Sequence, residues 1–247
     1  MVSTRSTYIM LGIAVVLAIG MTALVSLAVG STYGDWTEAD RASFEPISFS
    51  LVGLIFGGIL LTILGVNLVA SEYSSGMIRT TLTATPKRGR VLAAKVLLIS
   101  AVTIVVSFFL TVTSMFISML ILDSYDMTTV SLTDGDALRT IAVATLTAPL
   151  FPLIGAAFAF LLRSTATPIT LVLVLLFAPS MFGGLFPRWW QENVLSLLPS
   201  SAQDSLTIGH LSDSSMYLDP PIATMVVAAW AVISVGVAYI ALTRRDA

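Results

Sequence analysis

The side chains able to do chemistry are few and far apart. The single histidine, His210, has Asp204 and Asp213 near it in sequence, a set suited at most to weak metal binding, and a lone histidine without a second reads as a surface residue. There is no cysteine, which excludes disulfides, thiolate metal sites and thiol nucleophiles. No Ser/His pair, aspartate pair or zinc helix stands within an apolar segment, and no G-x-x-x-x-G-K-[ST] phosphate loop occurs. The chain is therefore expected to be no enzyme, with no catalytic residue, metal or cofactor of its own. An intramembrane enzyme would have to rest on His210 and its neighbouring acids alone. The one segment dense in functional groups runs from Ser71 to Lys95 and reads SEYSSGMIRTTLTATPKRGRVLAAK.

The elements that must position this segment follow from composition. Of 247 residues 56% are hydrophobic and 11% charged, with mean hydropathy +0.95, whereas a soluble domain is roughly a quarter charged. Six stretches lack any Asp, Glu, Lys, Arg or His: 8–29, 47–71, 96–122, 140–162, 164–187 and 221–243. At ~1.5 Å per residue each is long enough to cross a ~30 Å hydrocarbon layer as a helix. The fold expected is all-α and integral to the membrane, a single transmembrane domain over 1–247 with six spans and both termini on one side. A cleaved signal peptide is the alternative for the first stretch, but its length exceeds the roughly 7–15 residues of a signal core.

Lys and Arg set the side. Arg5, Arg79, Lys87, Arg88, Arg90, Lys95, Arg163, Arg244 and Arg245 fall on one face, with only Glu72 and Asp246 as acids. The other face holds Arg41, Arg139 and Arg188 against twelve of the fourteen acids. The first face is cytoplasmic by the positive-inside rule. No ionisable residue lies inside a span, so no coupling to an ion gradient is expected. The intramembrane polar residues are Asn67, read as an interhelical hydrogen bonder, and Ser and Thr, notably Thr103, Ser107, Thr111, Thr113, Ser114 and Ser118 in the third span. Gly53 and Gly57 form a G-x-x-x-G step that fits either packing within the subunit or a dimer seam, and Pro149, Pro152, Pro168 and Pro179 are expected to bend the fourth and fifth spans.

The segment 72–95 is then a cytoplasmic loop. Glu72 ends the membrane run, Ser74 or Ser75 is placed to cap a short helix, and Pro86 closes it. Arg88 to Lys95 leads into the third span, with Lys95 expected to snorkel toward the headgroups. A polybasic loop that merely fixes topology or meets anionic lipid is the plainer reading. The spacing is more particular: Glu72, Gly76 four residues on, Arg79, then Leu82, Pro86 and Arg88, closed by Leu92 and Lys95. This pattern resembles the signature of ABC-2 type transporter permeases.

The resemblance implies that segment 72–95 is a coupling helix seated in a groove of a separate ATP-binding subunit, with ATP and Mg on that partner. It also implies a second permease copy or a related permease beside this one, in a prokaryotic plasma membrane, with membrane lipid and no nucleic acid as partner. Family members carry short external or re-entrant helices between the fifth and sixth spans, and 188–220 fits that place, with Trp189 and Trp190 at the interface and Val194 to Pro199 apolar but too short to cross. An interfacial helix commonly precedes the first span, and Met1 to Thr7 matches only its end, so the expectation is a start lying upstream or a subunit without it. In this class the cavity forms between subunits from the second and fifth spans, which points to Phe56, Leu60, Phe177, Met181 and Phe182, with lipid-facing packing as the alternative for each. Export of an amphipathic, drug-like, lipid-like or peptide-antibiotic cargo is expected, by association with antibiotic export and self-protection systems. The competing reading is a membrane scaffold or sensor that recruits a cytosolic partner through the basic loop without transport.

Overall fold

In hydrocarbon no water is available to backbone N–H and C=O groups, so a charge-free apolar run satisfies them internally by becoming helix. The computed structural model describes residues 4–78, 87–207 and 214–245, and these form helices without a strand among them. In chain order the helices are α1 (Thr4–Thr32), α2 (Glu38–Ala42), α3 (Pro46–Ser74), α4 (Arg88–Asp123), α5 (Gly135–Thr147), α6 (Leu150–Leu162), α7 (Ala166–Phe182), α8 (Arg188–Trp190), α9 (Pro199–Thr207) and α10 (Pro220–Arg245). Six helical segments are long and apolar enough to cross a membrane: Arg5–Asp35, Pro46–Ser74, Arg88–Asp123, Gly135–Leu162, Ala166–Leu185 and Pro220–Arg244. The shortest has 20 residues, about 30 Å of helix.

The second and fourth of these are the centre of the bundle. Their apolar windows are 44% and 61% buried, against 22–28% for the other four, which therefore keep most of their surface for lipid or another subunit. α3 packs on α1, α4 and α6, and α10 packs on α6 and α9. The largest core cluster joins Val66, Val69 and Ala70 of α3, Leu92 and Ile99 of α4, Ala156 and Phe160 of α6, and Ala238 and Leu242 of α10.

Small residues make the seams. A Cβ on Gly53 would collide with the Ala18 carbonyl oxygen and the Thr22 hydroxyl, so only glycine lets α1 and α3 approach this closely. Gly57, one turn on, faces Ala18 and Leu110. The G-x-x-x-G step thus serves packing within the subunit. Thr103, Ser107, Thr111, Ser114 and Ser118 line one buried face of α4, three or four residues apart, and Ser118 meets Ser26 of α1 at 2.9 Å.

The prolines act unequally. The fourth span is broken at Ala148 and Pro149 into α5 and α6, and the new helix starts with Leu153 N–H donating to Pro149 O at 2.9 Å. Pro152 stands in the first turn of α6, where no N–H is required, and its backbone oxygen lies against Gly65. Pro168 likewise stands in the first turn of α7, so it removes no internal bond and bends nothing, contrary to the expectation from sequence. Of these four prolines, Pro179 is the one beyond the first turn of its helix. Between α6 and α7 the chain reverses at Arg163, which takes a left-handed conformation (φ 53°).

Candidate functional site

The basic end of the bundle carries the segment singled out above. α3 ends where Ser75 N–H donates to Ser71 O (3.1 Å) and Gly76 N–H to Tyr73 O (3.2 Å), with Gly76 at φ +70°, the left-handed region that glycine enters without strain. Ser74 and Ser75 turn their hydroxyls back to Ser71 O, so they finish α3 rather than start the next helix. Met77 and Ile78 resume helical geometry, and Ile78 is buried in the main core cluster. Arg79, Leu82 and Pro86 lie outside the described residues.

Glu72 and Lys95, on opposite sides of the loop, meet inside the protein. Lys95 Nζ donates to Glu72 Oε1 at 2.7 Å and to Leu68 O at 2.9 Å, with side-chain exposures of 9% and 23% for Lys95 and Glu72. The expectation that Lys95 snorkels to the headgroups is therefore wrong: two turns into α4, its stem points at α3, where the Glu72 carboxylate and the Leu68 carbonyl take its ammonium. Glu72 Oε2 is buried with no hydrogen-bond partner among the described residues. It borders a cavity of about 330 Å³ between α1 and α3, reached also by Thr7, Met10, Asn67 and Met77. Asn67 does bridge helices, its Nδ2 lying 4.0 Å from Met10 Sδ.

The other residues of the pattern are brought into the bundle individually. Arg88 Nη1 donates to Leu242 O (2.8 Å) and Thr243 O (3.1 Å), occupying carbonyls that the last turn of α10 leaves unpaired and placing a cation where the helix dipole favours it. Leu92 is buried in the main core. The Arg163 guanidinium lies 5.5 Å from the Tyr73 ring centre, and Tyr73 packs edge-on to Phe160. The loop's roots in α3 and α4 are thus tied to each other and to α6 and α10, while Lys87, Arg90 and Met77 stay exposed.

At the opposite end the segment after α7 forms α8, a π turn (Gln191–Leu195) and α9. α9 falls on the polar stretch PSSAQDSLT rather than on the apolar Val194–Pro199, because its serines and Ala202 give a small face that can be buried. Ser200 Oγ donates to Leu175 O of α7 (3.1 Å), Gln203 Nε2 to Thr147 Oγ1 at the break in the fourth span (3.1 Å), and Trp230 Nε1 of α10 to Leu197 O (2.9 Å). Trp189 and Trp190 are exposed.

A cavity of about 250 Å³ opens beside α9, walled by α3 (Leu51, Ile55, Gly58, Leu61), by Phe151 and Pro152 of α6 and by Leu176 of α7, with Ser48, Gln203, Asp204 and Thr207 as its polar border. A second cavity of about 220 Å³, lined by Ser180, Ser201, Ser205, Ser214, Met216 and Tyr217, shares Asp204 with the first. Burial pushes the Asp204 carboxyl up from the ordinary aspartate value of 3.8 to about 6. None of Phe56, Leu60, Phe177, Met181 and Phe182 borders these cavities: the first three are half-buried, and Met181 and Phe182 are exposed. Sequence reasoning singled out Asp204 only as a neighbour of His210 for weak metal binding, and it missed Gln203 and Ser48, although the spacing of Ser200, Ser201, Ser205 and Leu206 on one helical face carried the signal. His210 and Asp213 lie outside the described residues, and no group of three or more His, Cys, Asp or Glu could hold a metal ion among the described ones.

The described residues thus form a bundle with six helices long and apolar enough to cross a membrane. The family described as ABC-2 family transporter protein matches residues 29–247, and the chain belongs to that family as a multi-pass membrane protein. A search of curated proteins gives no significant match.

Proposed function

We propose that this chain is the transmembrane permease subunit of an ATP-driven exporter, with ATP and Mg bound and hydrolysed on a separate ABC subunit. The basic end faces the cytoplasm, and segment 72–95 is the coupling element that receives the ATPase. The observation that carries this reading is the Glu72–Lys95 pair, which locks the roots of the loop, α3 and α4, into the same core that holds α6 and α10. A loop tethered in this way passes a push from a partner into four spans at once, which a loop serving electrostatic recruitment alone would not need.

Two such chains, or this chain and a related one, pair side by side, with Phe56 and Leu60 of the second span and Phe177, Met181 and Phe182 of the fifth toward the seam. Tilting of the spans as the ATPase subunits close moves an amphipathic, drug-like, lipid-like or peptide-antibiotic cargo outward across a prokaryotic plasma membrane. The test is made on the assembled complex in proteoliposomes with Glu72→Gln and Lys95→Met. Loss of ATP-driven transport at retained ATPase activity is expected; unchanged transport by both variants would remove the basis of the coupling assignment.

A further inference from the structure

Asp204 is a carboxylate in the wrong surroundings for an idle surface acid. It borders two cavities, one walled by Leu51, Leu61, Phe151 and Leu176 and the other by serines and Tyr217, and none of the described residues bordering either is a lysine or arginine. Its carboxyl takes no hydrogen bond or ion pair among the described residues, whereas its neighbour Gln203 is held by Thr147 and Ser200 by Leu175 O. With its pKa near 6 it is still mostly ionised at neutral pH, so a negative charge faces the two cavities with no counter-charge among the described residues.

We propose that the two cavities form one binding site for a cationic amphiphile, its ammonium or other soft cation beside Asp204 and its hydrocarbon body against Leu61 and Phe151. An apolar wall that includes the Phe151 ring recovers the hydrophobic part, and the carboxylate supplies the single directional contact that fixes orientation. A cation is the one ligand charge that relieves the buried carboxylate; an anion would worsen it, and a neutral body would leave it as it is. The site rests on the transporter reading only in that its ligand is then cargo.

Binding is therefore read without ATP or a partner subunit. The purified full-length chain in lipid nanodiscs is titrated with benzyltrimethylammonium and with its uncharged carbon isostere neopentylbenzene, against empty nanodiscs, by saturation-transfer NMR. The cation is expected to bind saturably and the isostere at least tenfold more weakly; Asp204→Asn is expected to weaken the cation at least tenfold without lowering the thermal unfolding temperature. Gly58→Leu supplies the second variant, because a Cβ at Gly58 meets nothing within 4 Å and the longer side chain fills the cavity while the carboxylate stays. It too is expected to abolish saturable binding. Equal binding of the two probes, or a cation affinity indifferent to both substitutions, or no saturable binding by the native chain, overturns the proposal and leaves the ATP-driven reading to its own test.

Discussion

Two carboxylates leave the water in this protein, and their fates differ. Glu72, at the basic end, is met at 2.7 Å by an ammonium that also serves Leu68 O; Asp204, at the opposite end, is met by no charge among the described residues and faces open cavities. The first arrangement is a brace, since both charges are consumed by the fold. The second leaves one charge over, which is the condition for a ligand site. The difference teaches that in an apolar bundle the position of a charge says less than what lies within 4 Å of it.

The largest effect expected is from breaking the brace. Lys95→Ala leaves Glu72 buried without a counter-charge and should destabilise by about 3–5 kcal/mol, read as thermal or denaturant unfolding in detergent, while the double change Glu72→Leu with Lys95→Met should recover most of that loss. Equal losses in single and double variants would show that the pair is not a unit. Next, Arg88→Ala removes two charge-assisted bonds to the end of α10 and should cost about 1.5–3 kcal/mol, with increased hydrogen exchange in the last turn of that helix; Arg88→Lys should restore part of it. Gly76→Ala forces a side chain into φ +70° and should cost about 1–2 kcal/mol, although the Cβ itself meets no atom.

Last, the Asp204 effect is read in its pH dependence, and there the native charge works against folding. Its folded-state pKa of about 6 lies above the ordinary 3.8, so between these values the native state holds the extra proton and stability falls as pH rises, with no further slope above about 6. Asp204→Asn should flatten that part of the pH profile of the unfolding temperature without lowering it at neutral pH. A profile identical to that of the native chain would place the titrating group elsewhere.

Much of the bundle was legible because charge-free runs have only one way to satisfy their backbone in lipid. Arg163 falls in the turn between α6 and α7, as its charge implied, whereas α3 runs through Glu72 to Ser74. The inward turn of Lys95 was not legible, since a lysine near a helix end looks the same whether it snorkels or pairs, and its partner stands 23 residues away. α9 was hidden for the opposite reason: a serine-rich stretch reads as loop until its small face is seen packed on α7 and α10. Pro152 and Pro168 looked like kinks because sequence alone does not say that each falls in the first turn of its helix.

The central claim is that the basic loop couples this chain to an ATPase. The most direct measurement is purification of the tagged chain from mild-detergent extracts of its native membranes, with identification of the proteins retained and assay of ATP hydrolysis. The account predicts a stoichiometric partner bearing a phosphate loop, lost when Glu72 and Arg79 are replaced together. A chain that purifies without any nucleotide-binding partner would contradict it and favour a scaffold or sensor.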